Sequence, residues 1–137
     1  EFFAQHSKNP FRSFLQRDVI GFGTRISLDD STKLGFGVLT EDEEDLQGIE
    51  TDTERLSMYF TDKYELAENI DLLLTAYYQP SLDETDDYKA SILTGVNFTV
   101  NENVSISLQF SSFYDSIPPE FADKQDEQIS TEFSYSF

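Results

Sequence analysis

The sequence alternates. From Tyr88 the even positions read Tyr88, Ala90, Ile92, Thr94, Val96, Phe98 and Val100, while the odd ones read Lys89, Ser91, Leu93, Gly95, Asn97 and Thr99. Successive side chains leave opposite faces of an extended chain, so a period of two predicts a half-buried β-strand and argues against a helix. The pattern recurs over Phe2–His6, Ile20–Leu28, Leu34–Val38, Leu56–Phe60, Ile70–Tyr78, Val104–Phe110 and Ile129–Phe137. No segment carries a convincing helical repeat, and no apolar run approaches the ~20 residues of a membrane-spanning helix. The expected fold class is all-β, and the 137 residues fit one domain over 1–137.

The connections alternate too. Short turn-rich links fall at Asp29–Thr32, Ala67–Asn69 and Asn101–Asn103. Longer ones are expected at Ser7–Arg12, Glu41–Glu54, Pro80–Asp87 and Asp115–Glu127. An up-and-down antiparallel meander then puts every tight turn at one end and every long loop at the other, an asymmetry shared by transmembrane β-barrels of bacterial outer membranes.

Charge follows the same axis. The chain has 27 Asp and Glu against 9 Lys and Arg, a net charge of -18, which disfavours nucleic acid as a partner. Seventeen of those acids lie in segments 41–54, 80–87 and 115–127, with Lys124 the one basic residue among them. Meanwhile Arg17, Arg25, Lys33, Arg55, Lys63 and Lys89 fall on the polar strand face. A closed barrel of about eight strands has an interior only wide enough for side chains. Arg17, Arg25, Arg55 and Lys89 are therefore expected to pair with Glu41, Asp71 and Glu132 as a lumen network, because burying those charges unpaired is costly.

Alternation leaves open which face is inside. A lipocalin-like barrel would turn the same apolar face inward. Three features favour apolar-out: aromatics near strand ends (Tyr78, Tyr88 and Tyr114 at one end; Tyr64, Phe98 and Phe137 at the other), small and charged residues on the opposite face, and a closing aromatic. Cysteine is absent, so no disulfide, thiolate nucleophile or Cys-based metal site is available. The opening Glu1-Phe2-Phe3 carries no export leader and reads as a mature or truncated product.

The closing run Phe133, Tyr135, Phe137 resembles the C-terminal signal read by outer-membrane barrel assembly machinery. With Tyr77-Tyr-Gln-Pro-Ser-Leu-Asp83, Asp86-Asp-Tyr88 and Phe113-Tyr-Asp-Ser-Ile-Pro-Pro119, the chain resembles the YdiY-like family of salt-induced outer-membrane proteins, which carry a domain of unknown function. The resemblance runs from about Phe2 to the end. It implies a β-barrel in a Gram-negative outer membrane and no established biochemical activity. Because members are longer at the N-terminus, the readable strands are either a whole barrel or the C-terminal part of one of about twelve.

Candidate chemistry is sparse. His6 is the one histidine, no G-x-S-x-G elbow is present, and a surface or girdle histidine is the expected reading; no enzyme is expected. Glu41, Asp42, Glu43, Glu44 and Asp45 are weak metal candidates. Without an EF-hand pattern, the expectation is a solvated loop that attracts Ca or Mg ions loosely and bridges to lipopolysaccharide. Gly21, Gly23, Gly35 and Gly37 share the polar face, where they permit sheet coiling or leave room for an opposing Arg or aromatic. Pro118-Pro119 stiffens a long loop. The functional expectation is a structural or interaction barrel, an accessory subunit of a larger outer-membrane complex. Its partners would be outer-membrane lipid, lipopolysaccharide, the assembly machinery and another outer-membrane protein. A narrow channel for ions or small solutes is the runner-up, and a soluble acidic β-protein stands behind it.

Overall fold

The computed structural model of the chain describes residues 1–9 and 14–137. Its strands are β1 (Phe2–Asn9), β2 (Phe14–Ser27), β3 (Lys33–Asp45), β4 (Glu50–Ala67), β5 (Ile70–Pro80), β6 (Tyr88–Asn101), β7 (Val104–Asp115) and β8 (Gln125–Tyr135). They form one antiparallel sheet in sequence order. The described residues contain no helix.

The tight turns sit where the Gly/Asn/Asp/Ser chemistry predicts them. Asp29 Oδ1 accepts from the backbone N–H groups of Ser31 and Thr32 at 2.8 and 2.7 Å and closes the β2–β3 turn. These donors, Thr32's backbone N–H first and Ser31's hydroxyl next, hold the Asp29 carboxyl down at about 2. Glu68-Asn69 and Glu102-Asn103 link the next two pairs at the same end. The connections 81–87 and 116–124 lie at the opposite end. The loop expected at Ser7–Arg12 falls partly within strand β1, and its remainder lies outside the described residues.

The segment Glu41–Glu54 corrects the loop expectation. Glu41 to Asp45 continue β3 and Glu50 to Glu54 open β4, with Glu41 opposite Thr53 and Glu43 opposite Thr51. Consecutive carboxylates have low strand propensity, but here alternate ones face cations across the concave surface and the opposing Thr residues fit a pleated strand. Only residues 46–49 form the connection.

The expected all-β, up-and-down antiparallel arrangement of eight strands is present. Eight strands form a half-barrel, and among the described residues no ladder joins β8 to β1. Curvature decides the faces. Register aligns Phe22 with Val38, Val38 with Leu56, Met58 with Tyr78, and Ile106 with Phe133, so one face is apolar across the whole sheet. That face is convex and open: Phe22 is 64% and Ile129 72% exposed. The residues buried in the concave trough are Val19, Leu39, Glu41, Arg55 and Ser57, together with Gly21 and Gly35.

The glycines explain how polar strands pack this closely. The Tyr59 ring lies where a Gly35 Cβ would stand, and the Phe3 ring covers Gly21 in the same way. Gly23 and Gly37 face each other across β2–β3, with backbone filling the space beside each. Gly95 is different, since a Cβ there would meet Gln109 Cγ at an ordinary 3.6 Å. Gly35→Ala should therefore cost about 1–3 kcal/mol in denaturant unfolding, the usual overpacking penalty, and Gly95→Ala clearly less. Equal midpoints for the two variants would contradict this packing.

Candidate functional site in the concave trough

The polar face of the strands converges on one carboxylate. Glu41 on β3 is 2% exposed, and three cations reach it. Arg17 from β2 binds Oε1 through Nε. Lys89 Nζ from β6 donates to the same oxygen at 2.7 Å, and Arg55 Nε from β4 donates to Oε2 at 2.7 Å. The belt continues outward. Arg55 makes a two-pronged contact with Asp87, at 3.1 and 2.8 Å, and donates to the Gln79 carbonyl at 3.3 Å. Lys89 also meets Glu43 at 3.1 Å and Asp115 at 3.6 Å.

This geometry depends on curvature. Strands β3 and β6 are three steps apart, about 14 Å along a flat sheet at ~4.8 Å per step. Glu41 and Lys89 touch because the sheet bends between them and both point into the trough. Glu41, Arg55 and Lys89 each have partners on more than one strand, so the buried charges are paired and the network crosses the trough.

The expected lumen network is thus realised in part. Arg17, Arg55, Lys89 and Glu41 come together. Arg25 does not join them. It lies further toward the turn end, paired with Glu1, with its Nε donating to the Tyr59 hydroxyl at 2.6 Å and its guanidinium 5.9 Å from that ring's centroid. Asp71 pairs instead with Lys63 at 3.0 Å near the turns. Glu132 lies on the fully exposed strand β8 at the open edge, where Ser134 Oγ contacts it at 3.3 Å. Its register, opposite Ser107 and in line with Asn97 and Asp71, puts Glu132 at the turn-side level of the strands, away from the belt.

Glu43, Asp87 and Asp115 were hidden by their assignment to loops. A signal was available: like Arg17, Glu41, Arg55 and Lys89, all three are odd-numbered, and parity is carried through each connection from β2 to β7.

The metal candidates are split by the same pleat. Glu41, Glu43 and Asp45 point to the trough, whereas Asp42 and Glu44 alternate to the convex side. The run cannot close around one ion, and among the described residues no cluster of three or more His, Asp or Glu is arranged to hold a metal. His6 lies on the convex face, with Nδ1 2.6 Å from Asp18 Oδ1, while Gln16 Nε2 donates to the other Asp18 oxygen at 2.6 Å. On that face Tyr78, Tyr88 and Tyr114 form a row with successive ring centroids 5.6 Å apart. Phe133 and Tyr135 are on β8, and Phe137 follows it with its ring 6.2 Å from that of Tyr135.

The belt separates two cavities. On the loop side is a cleft of about 390 Å³ lined by eight carboxylates, among them Glu43, Asp83 and Glu84, against the two cations Arg55 and Lys89. On the turn side is a chamber of about 490 Å³ lined by Phe3, Tyr59 and Tyr77 with Arg17, Arg25 and Lys33.

Removing the hub charge should be expensive. Glu41→Gln leaves three cations around a neutral group, and breaking a buried ion pair in this way costs about 3–5 kcal/mol. Glu44→Gln, on the same strand but facing away, should change stability by less than about 0.5 kcal/mol. Equilibrium unfolding of both variants checks the ranking.

Comparison with known proteins gives a family and no further relatives. No curated protein and no solved structure shows significant similarity to the chain. Residues 2–137 match a family model described as a protein of unknown function, DUF481. With the match spanning all but the first residue, the chain belongs to the DUF481 family.

Proposed function

We propose that this chain spans the bacterial outer membrane as a β-barrel wall and serves a structural or interaction role, as an accessory part of a larger outer-membrane assembly. The observation that carries the reading is inverted polarity. The trough buries Glu41, Arg55 and Ser57, while Phe22, Phe36, Ile92, Leu108 and Ile129 stand exposed on the convex face. A water-soluble sheet gains its stability by burying such residues. A lipid-facing one leaves them outside and hydrates or pairs its interior.

Other features support the same reading. The tyrosine row at the loop side, and Tyr64, Phe98 and the terminal aromatics at the turn side, suit interfacial girdles. The closing Phe133, Tyr135 and Phe137 suit recognition by assembly machinery, in keeping with the YdiY-like resemblance. The carboxylates of the loop end would draw divalent ions and, through them, lipopolysaccharide. Lipid tolerates no unpaired sheet edge, so the reading requires strands from elsewhere to pair with β1 and β8. The Glu41 belt runs across the trough and weighs against the competing reading, a conducting channel.

Gel mobility of the detergent-extracted protein in SDS, unheated against boiled, tests the proposal. A heat-dependent shift is expected; a chain that stays soluble without detergent and shows no shift overturns it. At residue level, Leu108→Arg on the convex face should destabilise the membrane-inserted protein by about 2–4 kcal/mol near the midplane. Ser107→Arg, facing the trough, should cost less, and the reverse order would place lipid on the other face.

A further inference from the structure

We propose that the turn-side chamber of the trough is a binding site for a small carboxylate bearing an aromatic ring. The chain carries a net charge of -18, yet this cavity is lined by the three cations Arg17, Arg25 and Lys33 and a single acid, Glu1. Arg17 is committed to Glu41, and Lys33 makes no ion pair with a described residue. Positive charge is therefore concentrated here against the trend of the whole molecule, behind a belt that separates it from the acidic cleft.

The chamber already holds a carboxylate of the chain's own. Glu1 pairs one oxygen with Arg25 and accepts from the Tyr59 hydroxyl on the other at 3.0 Å. Arg25 Nε donates to that same hydroxyl at 2.6 Å, which orients its proton toward Glu1. A guanidinium beside a pre-aimed hydroxyl is a carboxylate receptor, and Arg25 is 46% exposed, so an incoming anion can reach it.

The ring preference comes from the walls. Tyr59 and Tyr77 lie with centroids 5.5 Å apart and tilted by 42°, and Phe3 lines the same space. Such a frame offers ring faces and edges to a planar guest. The volume of about 490 Å³ lies in the range of small-molecule sites. The rings are held in place because Gly35 and Gly21 leave room for Tyr59 and Phe3. Uncharged polar groups on the floor, Gln79 with Ser57 at 3.3 Å and Thr61 with Thr75 at 3.0 Å, satisfy one another and add no competing charge.

The site faces the trough, so the proposal does not depend on what covers the convex face. Isothermal titration of the whole folded chain with benzoate tests it, with benzamide and benzylamine as neutral and cationic isosteres. Benzoate should bind saturably and at least about tenfold more tightly than either isostere, the discrimination expected of one charge-assisted contact. Glu1→Gln should tighten benzoate binding by removing the internal competitor, and Arg25→Gln should weaken it by about tenfold or more. Lys63→Gln, outside the chamber, should leave it unchanged. Equal affinity for the three probes, or no saturable benzoate binding even in Glu1→Gln, overturns the proposal whatever the stability of Arg25→Gln. A failed heat-mobility shift together with intact benzoate selectivity would remove the membrane reading and leave the site standing.

Discussion

One carboxylate organises the trough. Glu41 has two oxygens and receives Arg17, Arg55 and Lys89 from three different strands, and Arg55 and Lys89 extend the contact to Asp87 and Asp115. Strands that far apart meet only if the sheet bends toward its polar face. The ion pairs and the curvature therefore imply one another: the bend makes the contacts, and the buried charges would be intolerable without them. A polar interior of this kind contributes less net stability than an apolar core, but it fixes which strands lie opposite which.

The other half of the arrangement is the absence of bulk. Gly21 and Gly35 accept aromatic rings from neighbouring strands, and Gly23 and Gly37 let two strands approach without side chains between them. Large residues then line the chamber in fixed orientations. The same alternation sends Phe22, Phe36, Ile92, Leu108 and Ile129 to the convex face, where nothing within the described chain covers them. A surface of that extent needs lipid or protein against it, which is why the proposed membrane setting and the unpaired edges at β1 and β8 belong to one physical problem.

Much of the fold was legible in the chain because strand periodicity is a local property. The tight turns near Asp29, Glu68 and Glu102 and the strands around them follow from alternation and turn chemistry. Arg17, Arg55, Lys89 and Glu41 could be placed on a common face by parity alone. The segment Glu41–Glu54 was misread because its composition suggests a solvated loop, while its partners lie on other strands. Arg25 and Asp71 were expected in the network, but their positions along the strand axis put them at other levels, beside Glu1 and Lys63. Parity gives the face, not the height or the distance around the arc.

The sequence by itself determined that the chain is all-β, that each strand has one apolar and one polar face, and where most strands turn. These follow from residue spacing and backbone geometry over a few positions. Tertiary structure decided the sign of the curvature, and with it which face is enclosed. It also decided that Glu41 is a buried hub, and that Glu132 at the open edge is isolated from the belt. Those outcomes depend on contacts between strands distant in sequence, such as Glu41 with Lys89, which no local pattern encodes.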